Sequence, residues 1–211
     1  MKVLFIYFIL TSVLGYIYEC SAMTLWSGRW DNRGFLFGPS IPIYGVGCLL
    51  GLVFGEVIHN YTYLQVFFAG FLVSALLEYP TSVVLEKVFH ERWWDYSIAP
   101  FNINGRVSLL SSLGFGIGAL LIVYVINPLL LPLLYGCNPL IISRMSVLFM
   151  AIFLIDVFFS AYCNRKNITV NSYEKMNERI GAYVEKVNPD SYSLFRFLND
   201  KTHMFKEKAD H

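Results

Sequence analysis

The sequence predicts an all-α membrane protein: a polytopic bundle of about five transmembrane helices, followed by a cytoplasmic helical tail. Of its 211 residues, 56% are hydrophobic and 15% are charged, whereas about a quarter of the residues in soluble domains are charged. The charges are sparse from Val3 to Tyr162 and come every few residues after Cys163. This shift predicts a transmembrane domain at 1–162 and a tail domain at 163–211.

Five apolar segments approach the roughly 20 residues that a spanning helix needs. They are Val3–Ala22, Ile41–Ile58, Leu64–Glu86, Val107–Ile126 and Leu140–Tyr162. Pro42 stands in the first turn of the second segment, where a proline costs little. Asn127-Pro128 is expected to end the fourth, because the residue before a proline disfavours helix. The stretch Leu129–Tyr135 is short and contains Pro132, which favours a re-entrant or interfacial piece over a sixth span.

The basic residues predict an orientation. Of the sixteen Lys and Arg residues, only Lys2 and Arg144 are expected on one side of a five-span bundle. The others fall after the first span, after the third span and in the tail. The positive-inside rule makes their side cytoplasmic. The sequence therefore predicts a multi-pass protein of the cell membrane, with its N-terminus outside and its C-terminus in the cytoplasm.

Composition also limits the possible ligands. A net charge of +1 provides no broad basic field for nucleic acid. The four cysteines (Cys20, Cys48, Cys137 and Cys163) are scattered without a C-x-x-C pair, and the four histidines are dispersed. We therefore expect no metal and no cofactor, and we expect the lipid bilayer to be the main partner.

The tail has the pattern of a helix. Ser172 is a candidate N-cap, and Pro189-Asp190 would end the helix. A shorter aromatic segment, Ser191–Leu198, follows. One face of the first segment would carry Met176, Ile180, Tyr183 and Val187.

Two of the predicted spans carry glycines at intervals of four. These are Gly47, Gly51 and Gly55 in the second span, and Gly114 and Gly118 in the fourth. Small residues at this spacing let helix backbones approach closely in lipid, so we expect the two glycine faces to pack together. A solute path beside the thinned helices is the alternative.

Three acidic residues lie inside the apolar segments. Glu19 is in the first span, Glu78 in the third and Asp156 in the last, all toward the predicted cytoplasmic half. A charge at such depth costs several kcal/mol unless it is paired or hydrated. These acids are expected to form either an internal network that locks the helices together or a site for a substrate or ion.

Two loops, Trp26–Ser40 after the first span and Trp93–Arg106 after the third, add polar residues at the same side. Both combine interfacial aromatic residues with Asn, Asp, Arg and tight-turn residues, which is typical of an aromatic belt with ordinary turns. Alternatively, the two loops fold over a polar cavity, with Arg33 and Arg106 facing Glu19 and Glu78. On that hypothesis the candidate substrate-binding residues are Glu19, Arg33, Glu78, Asp95, Asn102 and Arg106.

Three motifs in order resemble a bacterial family of ABC-transporter type IV permeases. They are Asn32-Arg33-Gly34-Phe35-Leu36 with Gly38-Pro39 and Pro42-Ile43-Tyr44-Gly45; Glu78-Tyr79 with Leu85-Glu86; and Trp93-Trp94-Asp95-Tyr96-Ser97 with Asn102, Gly105-Arg106, Leu109, Ser112-Leu113 and Gly116. The resemblance covers about residues 10 to 120. It implies a transporter subunit, and it names no substrate.

Three classes of function remain open. The first is a transport subunit; the chain has no G-x-x-x-x-G-K-[ST] loop, so ATP would be bound by a separate ATPase subunit. The second is a membrane enzyme acting on lipid head-groups, with Glu78 or Asp95 as general base and the arginines holding phosphate. The third is a non-catalytic scaffold whose tail recruits a partner. Assembly into an oligomer is open for each class.

Overall fold

The computed structural model describes residues 1–27, 29–57 and 61–187, and these fold into helices without a named strand. The helices are α1 (Lys2–Ser27), α2 (Pro42–Val57), α3 (Tyr63–Phe89), α4 (Leu109–Leu121), a π-helical turn (Ile122–Ile126), α5 (Asn127–Gly136), α6 (Pro139–Lys166) and α7 (Asn171–Val187). The prediction of an all-α fold is confirmed. The predicted break at Pro189 and the segment Ser191–Leu198 lie outside the described residues, as does Ile58, the predicted end of the second span.

Within the described ranges, four helices are long and apolar enough to cross a membrane. They are α1, α3, α6 and one continuous helix, Leu109–Gly136, made of α4, the π turn and α5. The second predicted span, α2, is apolar but has 16 residues, which is about 24 Å of helix. It is therefore shorter than the roughly 20 residues of an ordinary span.

The fourth helix does not end at Asn127-Pro128, contrary to the expectation from its sequence. The N–H of Asn127 donates to the carbonyl of Ile122, five residues earlier, in the wide π turn. Such a turn displaces the carbonyls that the ring of Pro128 would otherwise strike. The stretch Leu129–Tyr135 is consequently part of this helix, as α5, and is not a separate re-entrant piece.

Contacts between the helices fix their relative directions. Lys2 Nζ donates to Ser143 Oγ (2.7 Å), so the starts of α1 and α6 share one end of the bundle. Arg106, just before α4, reaches Ser82 near the end of α3 (2.9 Å), so the opposite end holds the loops that follow α1 and α3. The predicted separation of basic residues between two ends is thus preserved, with Lys2 and Arg144 at the far end.

The first loop (residues 29–41) runs back into the bundle. The N–H of Ile41 donates to the carbonyl of Ser12 (3.1 Å), which lies 15 residues before the end of α1 at Ser27. At 1.5 Å per residue, α2 begins about 22 Å below that end. The loop therefore covers part of the membrane depth, and this explains why α2 is short.

Close helix contacts occur at glycines other than the predicted ones. A Cβ at Gly116 would lie 2.7 Å from the ring of Phe67, whereas a Cβ at Gly114 or Gly118 would meet nothing within 4 Å. The prediction that the Gly114–Gly118 face packs closely therefore does not hold in this structure. The reason is rotational: residues 114 and 118 lie on the opposite side of α4 from residue 116.

The second predicted glycine face has ordinary contacts. A Cβ at Gly47 would lie 3.7 Å from Leu77 of α3, and one at Gly51 would lie 3.9 Å from Ile122 of the π turn. At Gly55 the nearest atoms belong to Tyr61, at 3.8 Å. Gly47 and Gly51 thus face the third and fourth helices and Gly55 faces Tyr61, but the missing side chains are not what allows the helices to approach.

The tail helix α7 lies against the first loop. Asn177 Oδ1 accepts hydrogen bonds from Trp30 Nε1 (3.2 Å) and from Asn32 Nδ2 (3.0 Å), and Asn32 Nδ2 also reaches the Tyr173 hydroxyl (2.6 Å). Of the predicted apolar face, Ile180 is partly covered, whereas Met176, Tyr183 and Val187 are exposed. The side of α7 that contacts the first loop is therefore more polar than predicted, because its side chains form hydrogen bonds with side chains of that loop.

Candidate functional site

Among the acidic residues whose burial the structure describes, Glu78 is the most buried and is only 4% exposed. It lies in a stripe on α3 that repeats every four residues and faces protein, as predicted; the buried members of the stripe are Val66, Gly70, Ser74, Glu78 and Ser82. Glu78 lies 11 residues before the end of α3 at Phe89, which is about 16 Å along the helix.

Neutral hydroxyl groups bind the Glu78 carboxylate. Tyr96, from the second loop (residues 90–108), donates to Oε1 at 3.1 Å, and Ser111 donates to Oε2 at 3.0 Å. Ser111 is in the first turn of α4, where Ser108 caps the helix. The positive end of the α4 dipole therefore adds a favourable interaction with this carboxylate. No Lys or Arg of the described residues lies within ion-pair distance of Glu78.

Glu19 is close to this site but has different neighbours. Its carboxylate accepts a hydrogen bond from the hydroxyl of Tyr44 and lies 3.9 Å from Arg33 Nε. Arg33 also approaches Asp31, with 3.7 Å between Nη1 and Oδ2. The Nε atom of Arg33 is buried and has no hydrogen-bond acceptor among the described residues. The expected pairing of Arg33 with Glu19 is thus formed, as a loose ion pair.

Tyr96 bonds to Glu78 and lies close enough to Glu19 to feel its charge. Burial raises the pKa of its phenol, and the negative charges of Glu78 and Glu19 raise it further, while Arg33 opposes them. Tyr96 therefore keeps its proton and acts as a hydrogen-bond donor. Five side chains from α1, α2, α3 and both loops thus lie together; we call Glu19, Arg33, Tyr44, Glu78 and Tyr96 the polar cluster.

Arg106 does not face Glu78, contrary to the prediction. Its guanidinium bonds to the carboxylate of Glu86 and to Ser82 Oγ (2.9 Å), and it lies over the Tyr79 ring at 5.8 Å. Glu86 continues the four-residue stripe beyond Ser82, toward the loop end of α3. Because α4 runs antiparallel to α3, a residue before α4 meets the end of α3 rather than the level of Glu78.

Asp95 and Asn102 shape the second loop instead of joining the polar cluster. Asp95 Oδ1 accepts from Ser97 Oγ (2.5 Å) and Ser97 N (2.9 Å), and these bonds hold the pKa of Asp95 below its usual range. Asn102 donates to the carbonyl of Ala99 (2.8 Å) and accepts from the N–H of Gly105 (2.9 Å). Gly105 has φ of +68°, which favours glycine, and a Cβ there would lie 2.5 Å from Asp95 Oδ1.

Asp156 holds the deep part of the first loop. Its carboxylate accepts hydrogen bonds from the backbone N–H of Phe37 (3.1 Å) and of Gly38 (3.0 Å), and Ser160 Oγ donates to it at 3.0 Å. A Cβ at Gly38 would lie 2.6 Å from Asp156 Oδ2, so the loop needs glycine for this close approach. Irregular backbone at membrane depth must have its polar groups satisfied by protein, and Asp156 does this.

Three contributors to these contacts carry little signal in the sequence. Tyr44 and Tyr96 resemble interfacial anchors, because a tyrosine near a membrane interface is usually one. Glu86 lies at the end of a predicted span, and only its four-residue spacing from Ser82 places it on the same stripe. Among the described residues, no group of three His, Cys, Asp or Glu side chains is arranged to hold a metal ion.

The chain matches a known protein family over most of its length. The sequence model of a family described as "Putative ABC-transporter type IV" matches residues 6–161, which include every helix from α1 to the last turns of α6. All five residues of the polar cluster fall inside the matched region. No curated protein and no solved structure matches the chain significantly.

Proposed function

This chain belongs to the family of putative ABC-transporter type IV proteins, and we therefore propose that it is the membrane-spanning permease subunit of a transporter, in which the polar cluster contacts the transported solute. The family and the four long apolar helices support a transporter-like membrane protein. The role of the cluster rests on the geometry around Glu78.

The observation that supports a solute site most directly is the unpaired state of Glu78. A structural acid in a helix bundle is expected to meet a cation or backbone N–H groups. Glu86 meets two arginines at the loop end of α3, and Asp156 meets two backbone N–H groups. Glu78 instead meets only two hydroxyl groups and the N-terminal turn of α4. Arg33 and Arg106 belong to the loops at the same end of the bundle, but each of them pairs with a different acid. The carboxyl group of Glu78 therefore has no cationic partner among the described residues, and a ligand could supply one.

The charge balance of the cluster indicates the class of solute. Arg33 is shared between Glu19 and Asp31, so it cannot also neutralise Glu78. A cationic solute, or a cationic group on a larger one, would complete the site. Tyr96 comes from the second loop, so binding at Glu78 would also change the contacts of that loop.

A separate ATPase subunit would supply the energy, because the chain itself has no phosphate-binding loop. The second loop is the candidate contact for such a subunit, since it lies at the basic end of the bundle and reaches Glu78 through Tyr96. We propose that this end faces the cytoplasm, by the positive-inside rule, and that the tail domain 163–211 lies there too.

The alternative enzyme hypothesis has less support from the contacts. The contacts argue against Asp95, one of the two candidate general bases, because a base needs a carboxylate that is free to accept a proton. Asp95 is committed to Ser97, and its pKa lies below the usual range for that reason. The arginines that were expected to hold phosphate, Arg33 and Arg106, are both occupied by carboxylates.

A cation-binding measurement on purified protein tests the proposal. The chloride salts of sodium, potassium, choline, arginine and spermidine would be added separately, and thermal unfolding followed in detergent. A ligand at 100 times its Kd stabilises by about 2.7 kcal/mol, which corresponds to about 5–10 °C for a chain of this size. We expect one of these cations to stabilise the wild type by such an amount, and Glu78→Gln to abolish the effect.

Ser74→Ala is the matched control. Ser74 lies one turn from Glu78 on the same stripe and makes a buried hydrogen bond with Ser112 (2.7 Å), so its removal costs a similar polar contact without touching the carboxylate. The control should keep the cation-induced shift. Equal behaviour of the wild type in all five salts, or a shift retained in Glu78→Gln, would refute the solute site.

A further inference from the structure

A cavity of about 390 Å³ lies at the basic end of the bundle, away from the polar cluster. It opens between the ends of α3 and α6, and it is lined by Lys87, Val88, Phe89, His90 and Arg165. We propose that this cavity binds the phosphate head-group of an anionic lipid. The proposal does not depend on the transport function.

The cations of this cavity have no acidic partner. Arg33, Arg92 and Arg106 at the same end each lie within 4.0 Å of a carboxylate. No carboxylate of the described residues comes within that distance of Lys87 or Arg165. The neighbouring acid Glu86 is already bonded to two arginines. Lys87 and Arg165 are therefore available for an anion.

The net charge of the cavity stays positive when the helix dipoles are included. Lys87 is in the last turn of α3 and Arg165 in the last turn of α6, where basic residues are commonly found because each helix end carries about half a negative charge. Two full positive charges exceed these partial charges even with His90 neutral. The helix dipoles explain why each basic residue lies in a last turn, but they do not explain why both side chains line the same cavity.

The apolar side of the cavity favours a lipid over a free anion. Val88 and Phe89 contribute apolar surface directly beside the cations. The Phe89 ring is held by two other aromatic rings, Phe35 at 5.1 Å and Trp93 at 5.5 Å between centroids. Basic pockets between transmembrane helices at the interface are the usual sites for anionic head-groups. Arg165 can bind a phosphate through two parallel hydrogen bonds, while Lys87 acts as a point charge.

His90 ends α3 at the cavity. Its φ is +62°, and its N–H donates to the carbonyl of Glu86 (2.9 Å). His90 lines the cavity together with Lys87, Val88 and Phe89 of the last turn of α3.

Lipid titration followed by native mass spectrometry tests the proposal on the full chain in neutral detergent. The probes are dioleoylphosphatidylglycerol, dioleoylphosphatidylcholine as the zwitterionic lipid, and inorganic phosphate as a competitor. We expect the phosphatidylglycerol to bind more tightly than the phosphatidylcholine. The double variant Lys87→Gln with Arg165→Gln should weaken phosphatidylglycerol binding about tenfold or more, given the attraction of each basic residue for anionic lipid.

Lys166→Gln is the matched control, because Lys166 directly follows Arg165 at the same end but does not line the cavity. It should change the affinity less than twofold. If the double variant does not fold, the single variant Arg165→Gln gives the same comparison. Equal binding of the two lipids, or an equal loss in Lys166→Gln, would overturn the site. Displacement of the lipid by inorganic phosphate would overturn the assignment to lipid.

Discussion

The contact of α3 with α4 gives the sharpest prediction about stability. At Gly70, a Cβ would collide with the Cβ of Ala119 and would lie 2.7 Å from the carbonyl oxygen of Phe115 and 3.3 Å from the Cα of Gly116. Two of these are backbone atoms, which cannot turn aside as a flexible side chain can. Gly70→Ala must therefore push the two helices apart.

The expected cost follows from this collision. Adding a methyl group to a tightly packed interface typically costs 1–3 kcal/mol. For a chain of about 200 residues, 1 kcal/mol shifts the melting temperature by about 2–4 °C. Helix propensity acts in the opposite direction, since alanine is favoured over glycine by about 1 kcal/mol in a helix. Because two of the atoms met are backbone atoms, the collision should cost about 2–3 kcal/mol, which leaves about 1–2 kcal/mol after the gain in propensity. We therefore expect Gly70→Ala to melt about 2–8 °C below the wild type, measured by the tryptophan fluorescence of purified protein in detergent.

Gly118→Ala is the control for this prediction. It has the same chemistry on the facing helix, but a Cβ at Gly118 would meet nothing within 4 Å. It should melt at or slightly above the wild-type temperature, because it gains the propensity without the collision. If Gly70→Ala melts within about 1 °C of wild type, or if Gly118→Ala loses as much, the proposed α3–α4 contact is wrong.

Three further predictions concern the loops and the orientation. Asp156→Asn should cost about 1.5–3 kcal/mol in the free energy of unfolding, because an amide replaces the charged acceptor of two backbone N–H groups. Ser97→Ala removes the main hydrogen bond that lowers the pKa of Asp95. A lowered pKa stabilises the folded loop at pH values above the ordinary pKa of an aspartate, and this stabilisation is lost as the pH falls. In an acid titration followed by tryptophan fluorescence, the variant should therefore lose loop structure at a higher pH than the wild type. Cysteines introduced at Tyr61 and Lys186 report the orientation in a Cys137→Ser background, which removes the exposed native thiol before α6. An impermeant thiol reagent added to intact cells should label the first and not the second, and the opposite result would reverse the proposed topology.

The helices themselves followed closely from the sequence, because a run of apolar residues is sufficient to specify a helix in lipid. The polar stripe of α3 followed too, since its small and polar residues repeat every four positions. The expected helix end at Pro128 was wrong, because the π turn that accommodates this proline is not visible in the sequence. The expected packing of Gly114 and Gly118 was also wrong, because spacing alone does not say which side of a helix faces its neighbour.

The contacts of the polar residues were predictable only in part. Glu19 and Arg33 belong to one helix and the loop directly after it, so their meeting follows from chain order. The partner of Arg106 depends instead on the antiparallel register of α3 and α4, in which Ser74 faces Ser112 and Glu86 faces Arg106. That register is set by side-chain packing between two helices, and a single sequence does not reveal it.

The bond between Asp156 and the first loop has a consequence for biosynthesis. The backbone N–H groups of Phe37 and Gly38 emerge from the ribosome long before the carboxylate that satisfies them, more than a hundred residues later. Until α6 enters the membrane, this stretch has no native acceptor at its final depth, where an unbonded N–H group is costly. We therefore expect the first loop to reach its final depth only after α6 has inserted, so that insertion of the last helix would complete the N-terminal half of the protein.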